Sequence, residues 1–117
     1  MNSTPLIDVS LLEEVSAGDT AFKKMLLEMI INELTTEIPR MHQLLQEKDW
    51  NVIHNVSHKL KTTLGYICTE AICAPNRQIE MASKQGIELD DATQNIEYLN
   101  DKVSILTSEL ENLAASM

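Results

Sequence analysis

Aromatic side chains are scarce in this chain: one Trp, one Phe and two Tyr among 117 residues. A core must therefore be built from Leu, Ile, Val, Met and Ala. Turn residues are scarce too, with three Gly and three Pro. That shortage excludes the many-stranded sandwiches and barrels, which need a turn every few residues, and favours a few long helices. The two cysteines, Cys68 and Cys73, form neither a CxxC pair nor a disulfide framework. They are expected as reduced, partly buried thiols. Positive charge is short: nine Lys and Arg against 18 Asp and Glu give a net charge of −9. An acidic chain lacks the basic stripe that replaces phosphate counterions, so nucleic acid is excluded as a partner, and an anionic membrane surface with it. No apolar run approaches membrane-spanning length. The start, MNSTPLIDVS, has neither a basic region nor an apolar stretch, so no signal peptide and a cytoplasmic location are expected.

What the chain does have is helical periodicity. IDVSLLEEVSAG reads as a short helix with Val9, Leu12 and Val15 facing inward and Gly18 ending it. A long helix follows, with Asp19 as its cap and a stripe of Phe22, Met25, Leu26, Met29, Ile30, Leu34, Ile38, Met41 and Leu45. Pro39 lies within it and should bend it without ending it. Asp49 caps the next helix, with Ile53, Val56, Leu60, Leu64 and Ile67 inside. Thr69 and Gly86 bound a further helix whose first turn Pro75 should make irregular, and Asp90 caps a last one. In that last helix Ala92, Ile96, Leu99, Val103, Leu106, Leu110 and Leu113 repeat almost as heptads. Short connections make neighbours antiparallel. The expected fold is all-α: one domain over residues 1–117, an up-down-up-down four-helix bundle with a short extra N-terminal helix. Each helix carries one apolar stripe, so a monomer is expected.

The stretch SHKLKTTLGYI, residues 57–67, carries the chemistry. At about 100° per residue, His58 points about 160° away from the apolar face centred near Leu60 and Leu64. His54, Lys61, Thr62 and Gly65 fall on the same outward side. An exposed imidazole is in large part neutral at pH 7, so its nitrogen can attack without a base to activate it. Lys61, one turn on, can neutralise a transferred anionic group. Gly65 either lets another molecule approach the backbone or simply marks a helix end. No Ser–His–Asp arrangement and no glycine-rich phosphate loop compete. His54 and His58 have a spacing that can hold zinc on a helix, yet no third ligand or HExxH pattern accompanies them, and no metal site is expected.

The segment HKLKTT, in register with the Gly-Asp-x-x-Phe start at Gly18–Phe22, the EKDW turn and the Ile79–Glu80 pair of RQIEMASKQG, resembles the histidine phosphotransfer (HPt) domains of multistep two-component phosphorelays. The chain departs from that family at two places where glycine is usual, Thr62 and Cys68. The resemblance implies a phosphoryl carrier without turnover of its own. His58 would accept the group from a receiver-domain aspartate and pass it to another receiver, with Lys61 stabilising its charge. His54, Thr62 and Gly65 would lie on the docking face. It also implies response-regulator receivers and a hybrid sensor histidine kinase as partners, no cofactor of the domain's own, and Mg²⁺ supplied by the receiver. The alternative is a helical-bundle adaptor that binds a signalling partner without phosphorylation.

Overall fold

The computed structural model describes residues 5–117, and the four residues before them, on which the leader expectation partly rests, lie outside the described part. Five helices follow in order: α1 (Ser10–Ser16), α2 (Thr20–Glu47), α3 (Trp50–Gly65), α4 (Glu70–Gln85) and α5 (Leu89–Ala115). Helices α2 to α5 each pack on their chain neighbours, and α5 closes the ring against α2. The side-chain pairs fix the directions. Thr63 of α3 meets Glu33 of α2, and Lys59 meets Glu37, so residue numbers rise on one helix as they fall on the other. The expected antiparallel bundle is what forms.

Local chemistry explains the boundaries. The carboxylates of Asp19 and Asp49 accept from the amides of Phe22 and Val52, satisfying donors that the first turns of α2 and α3 leave free. Ala17 and Lys48, in the left-handed region, close α1 and α2, and Gly86 closes α4. Pro39 and Pro75 both lie within continuous helices, so Pro75 does not disrupt the first turn of α4 as expected. Thr69 stands at the cap position of α4, but its hydroxyl donates to the carbonyl of Pro5 at 2.7 Å. Together with the antiparallel bridge between Ile7 and Cys68, this ties the N-terminal segment across the α3–α4 turn. Asp90 lies inside the first turn of α5, and Glu88 takes the cap position without a side-chain bond.

The core is aliphatic. Leu34, Ile38, Ile53, Leu60, Leu64, Ile79, Ile96, Leu99 and Leu106 are among its fully buried members. Truncating one such side chain to Ala costs about 2–5 kcal/mol. Two expectations about which face is buried are corrected. In α1 only Leu12 is fully buried, and Val15 is exposed, Ser16 taking the inward place. In α2 the inward stripe is Leu27, Ile30, Leu34, Ile38 and Met41. Phe22, Met25 and Met29 are exposed, at 37%, 50% and 60%. The reason is angular: Met25 lies about 180° and Met29 about 140° from Leu34 around the helix. Steps of three and four connect them to one another as well as to the core, so periodicity alone joins two faces into one. The helix therefore has a second apolar strip, contrary to the expectation of one stripe per helix.

Candidate functional site

His58 lies midway along α3, its side chain 63% exposed. Its inner ring nitrogen, Nδ1, is 2.6 Å from Oε2 of Glu80 on α4. The hydrogen bond to His58 holds the Glu80 carboxyl below its ordinary range; burial opposes it, and the nearby ammonium of Lys61 adds a lesser pull downward. An ionised carboxylate only accepts, so Nδ1 carries the proton and donates it. The lone pair of the neutral ring then sits on Nε2, the nitrogen away from Glu80. Lys61 places its Nζ 3.9 Å from the same carboxylate oxygen and is itself half exposed. One carboxylate thus orients the imidazole and gathers the cation beside it.

His54 is half-buried, and its outward position is qualified by a bond to α4: Nδ1 lies 3.0 Å from the backbone oxygen of Glu80. That oxygen also only accepts, so the Nδ1–H of His54 donates. The two imidazoles stack at 6.2 Å between centroids. Both inner nitrogens are held by α4, and no group of three or more His, Cys, Asp or Glu among the described residues converges as a metal site. Thr62 is exposed beside His58. Gly65 is the last residue of α3, as a helix end would have it, yet a Cβ built there meets nothing within 4 Å. The helix-end reading matches the structure, and the space beside the glycine is open. Replacing it with Ala is expected to leave the melting temperature unchanged or slightly raised, since Gly is up to about 1 kcal/mol worse than Ala in a helix. A melt of the Gly65→Ala variant checks this, and a clear loss would mean a steric demand not visible at that position.

Two grooves flank His58. Between α2 and α3 runs a depression of about 390 Å³, apolar at the end formed by Leu26, Met29 and Tyr66 and polar where Glu33, Lys59 and Thr63 line it. Thr63 donates to Glu33 at 2.7 Å across its floor. On the other side, Lys61, Gly65 and Arg77 border a depression between α3 and α4. Helix α3 contains no acidic residue, in a chain of net charge −9. The cysteines lie just beyond, in the turn. Cys68 directly precedes the cap residue Thr69, and Cys73 is the fourth residue of α4, positions whose side chains meet at a helix start. Burial raises both thiols, that of Cys68 far above the ordinary range, so they stay protonated at neutral pH, and both are unbonded to another sulfur.

Sequence reasoning missed Glu80 as part of this site. Its signal was the carboxylate next to the buried Ile79, at the margin of the inward face of α4.

A family model described as Hpt domain matches residues 25–116. No curated protein sequence matches the chain. A crystal structure of histidine-containing phosphotransfer protein B (HptB) from Pseudomonas aeruginosa PAO1 superposes with a TM-score of 0.84, covering 98% of this chain and 99% of that one at 17% identity. At that identity the superposition speaks for the fold, whereas the family match extends over most of the sequence, from the second turn of α2 through the exposed histidine of α3 to the end of α5. The chain belongs to the Hpt domain family.

Proposed function

We propose that this domain is a phosphorelay intermediate in which His58 accepts a phosphoryl group from a receiver-domain aspartate and passes it to a second receiver. The observation that carries this reading is the contact of His58 Nδ1 with Glu80, which leaves the Nε2 lone pair facing solvent. In the forward step the Nε2 lone pair forms the bond to phosphorus. The bond to the aspartyl oxygen breaks, and that carboxylate leaves with the electron pair. The ring retains its Nδ1 proton, becomes positively charged and rests against the Glu80 carboxylate. The return step reverses these changes onto another aspartate. In-line transfer of this kind needs positioning and charge neutralisation more than covalent chemistry. The domain offers one oriented nucleophile and one cation, and the receiver would bring Mg²⁺ and its acidic pocket. An α3 surface without carboxylates favours approach of that pocket. The exposed Met29 and the neighbouring Leu26 and Tyr66 offer apolar area to seat it.

The test is to mix the protein with phosphorylated receivers and follow the label. A phosphoramidate that is lost in acid and kept in base supports the reading. Transfer to no receiver, with tight binding to one of them, would support the adaptor function instead.

Lys61 has a smaller part. With its ammonium half exposed, solvent screens its pull on the phosphoryl group. Lys61→Ala is expected to slow transfer, or shorten the life of the phosphohistidine, by about two- to fivefold. The melting temperature should not change. Unaltered transfer would make Lys61 an ordinary surface lysine.

A further inference from the structure

Asn76 lies on the inward stripe of α4 between Ile72 and Ile79 and is 1% exposed. Its Nδ2 donates to the backbone oxygen of Ser57 at 2.9 Å, while its Oδ1 has no partner. An unpaired buried acceptor is a cost that a leucine of similar size would not carry. The position is therefore poorly explained by stability. What distinguishes it is where its one bond goes. Ser57 immediately precedes His58, and Asn76 stands one turn before Glu80. Two bonds thus run side by side between α3 and α4: the Asn76 amide to the Ser57 carbonyl, and His58 to the Glu80 carboxylate. The remaining contact between these helices at this level is largely aliphatic and without direction. Apolar packing fixes which face of α4 points inward, because turning the helix would expose Ile72 and Ile79. A slide along the axis by one residue's rise, about 1.5 Å, keeps that face inward but carries Glu80 away from His58, and a directional bond opposes it. His54 adds a bond to the Glu80 backbone, but from a half-buried ring at the margin. The Asn76 bond is the one sealed from water.

We infer that Asn76 is a positioning residue: by holding the Ser57 carbonyl it sets the register of α4 on α3 and so keeps the Glu80 carboxylate on Nδ1 of His58. The inference deepens the phosphotransfer reading and rests on it for its consequence. Its test does not, because the contact can be observed without any phosphate.

The variants are Asn76→Leu, which fills the same space, and Asn76→Ala. The readouts are the ¹⁵N resonances of the His58 ring, which report the tautomer, and the titration of the Glu80 carboxyl, which faces His58, His54 and Lys61. In wild type His58 should be the Nδ1–H tautomer. Asn76→Leu is expected to melt at or above the wild-type temperature, show mixed His58 tautomers, and move the Glu80 midpoint up toward the ordinary carboxyl value. Phosphoryl acceptance should fall about fivefold, the worth of one hydrogen bond in the folded protein. The comparison is Asn95→Ala, which removes a 2.9 Å amide bond to Gln78 between α4 and α5 and should move neither readout. A folded Asn76→Leu variant with wild-type tautomer and wild-type Glu80 midpoint overturns the inference. If the Leu variant does not fold, the Ala variant decides by the same two readouts. If no receiver phosphorylates the wild type, the phosphotransfer reading fails while these measurements still judge the register.

Discussion

Replacing His58 with glutamine is expected to abolish phosphoryl acceptance and leave the bundle folded. The ring is 63% exposed, on the far side of α3 from Leu60 and Leu64, and supports no core contact. An exposed polar exchange of this kind changes stability by about 0.5 kcal/mol or less. A glutamine amide has no lone pair available as a nucleophile on nitrogen, so no slower route to the phosphoramidate remains. The neighbour four residues earlier is the necessary comparison. His54 is also an imidazole with its Nδ1–H bound, but to the backbone carbonyl of Glu80, while the Glu80 carboxylate is hydrogen-bonded to His58 instead. It is half-buried, and the residue three further along is Ser57 where His58 has Lys61. His54→Gln is expected to keep most of the transfer, since the glutamine amide can donate to the same Glu80 carbonyl. Each variant is incubated with a phosphorylated receiver and the label counted on the domain. Full labelling of His58→Gln would place the accepted group on another residue and overturn the assignment to His58.

Much of this architecture is legible without coordinates because burial is periodic. In α3 and α5 the predicted inward residues are the buried ones, with Val103 in the middle of α5 and Leu113 near its end only half-buried. The reading fails in α2 for a definite reason. Phe22, Met25 and Met29 obey the same step rule as the core, and only their angle to Leu34 separates the faces. The site is legible in half. His58 and Lys61 stand out because they occupy the outward face of their own helix. Glu80 does not, because its importance depends on how α4 is placed against α3, and no periodicity within one helix contains that. Asn76 is an intermediate case. A polar residue on the stripe of Ile72, Ile79 and Ala82 is anomalous from sequence alone, but what it binds is a matter of register.

Glu80 gives the second large effect. Its carboxylate accepts the Nδ1 proton of His58, and its charge faces a ring that would become cationic in the proposed phosphorylation. Removing the carboxylate should therefore cost orientation, tautomer and charge together. Glu80→Ala is expected to slow phosphoryl acceptance about ten- to a hundredfold, less than the effect of a deeply buried orienting aspartate on a catalytic histidine, because water reaches this pair. Glu80→Gln separates the contributions. Its amide oxygen can accept from Nδ1–H and preserve orientation, but its NH₂ can instead face Nδ1 and drive the proton to Nε2, where it blocks the lone pair. An effect in Glu80→Gln close to that of Glu80→Ala would point to tautomer and charge as the larger losses. A mild effect would assign most of the rate to orientation. Stability supplies an independent check with a definite sign. The folded protein holds the Glu80 carboxyl below its ordinary value of 4.5, chiefly through the bond to His58. A carboxyl whose folded value is lowered contributes its stability in full above the unfolded value and loses it as pH falls through the folded one. Wild type should thus lose an increment of stability in the acid range below about 4.5 that Glu80→Gln does not lose, while the two melt alike in shape at neutral pH. Parallel melting curves across that acid range, with unchanged transfer, would mean that the carboxylate neither senses nor serves the imidazole it touches.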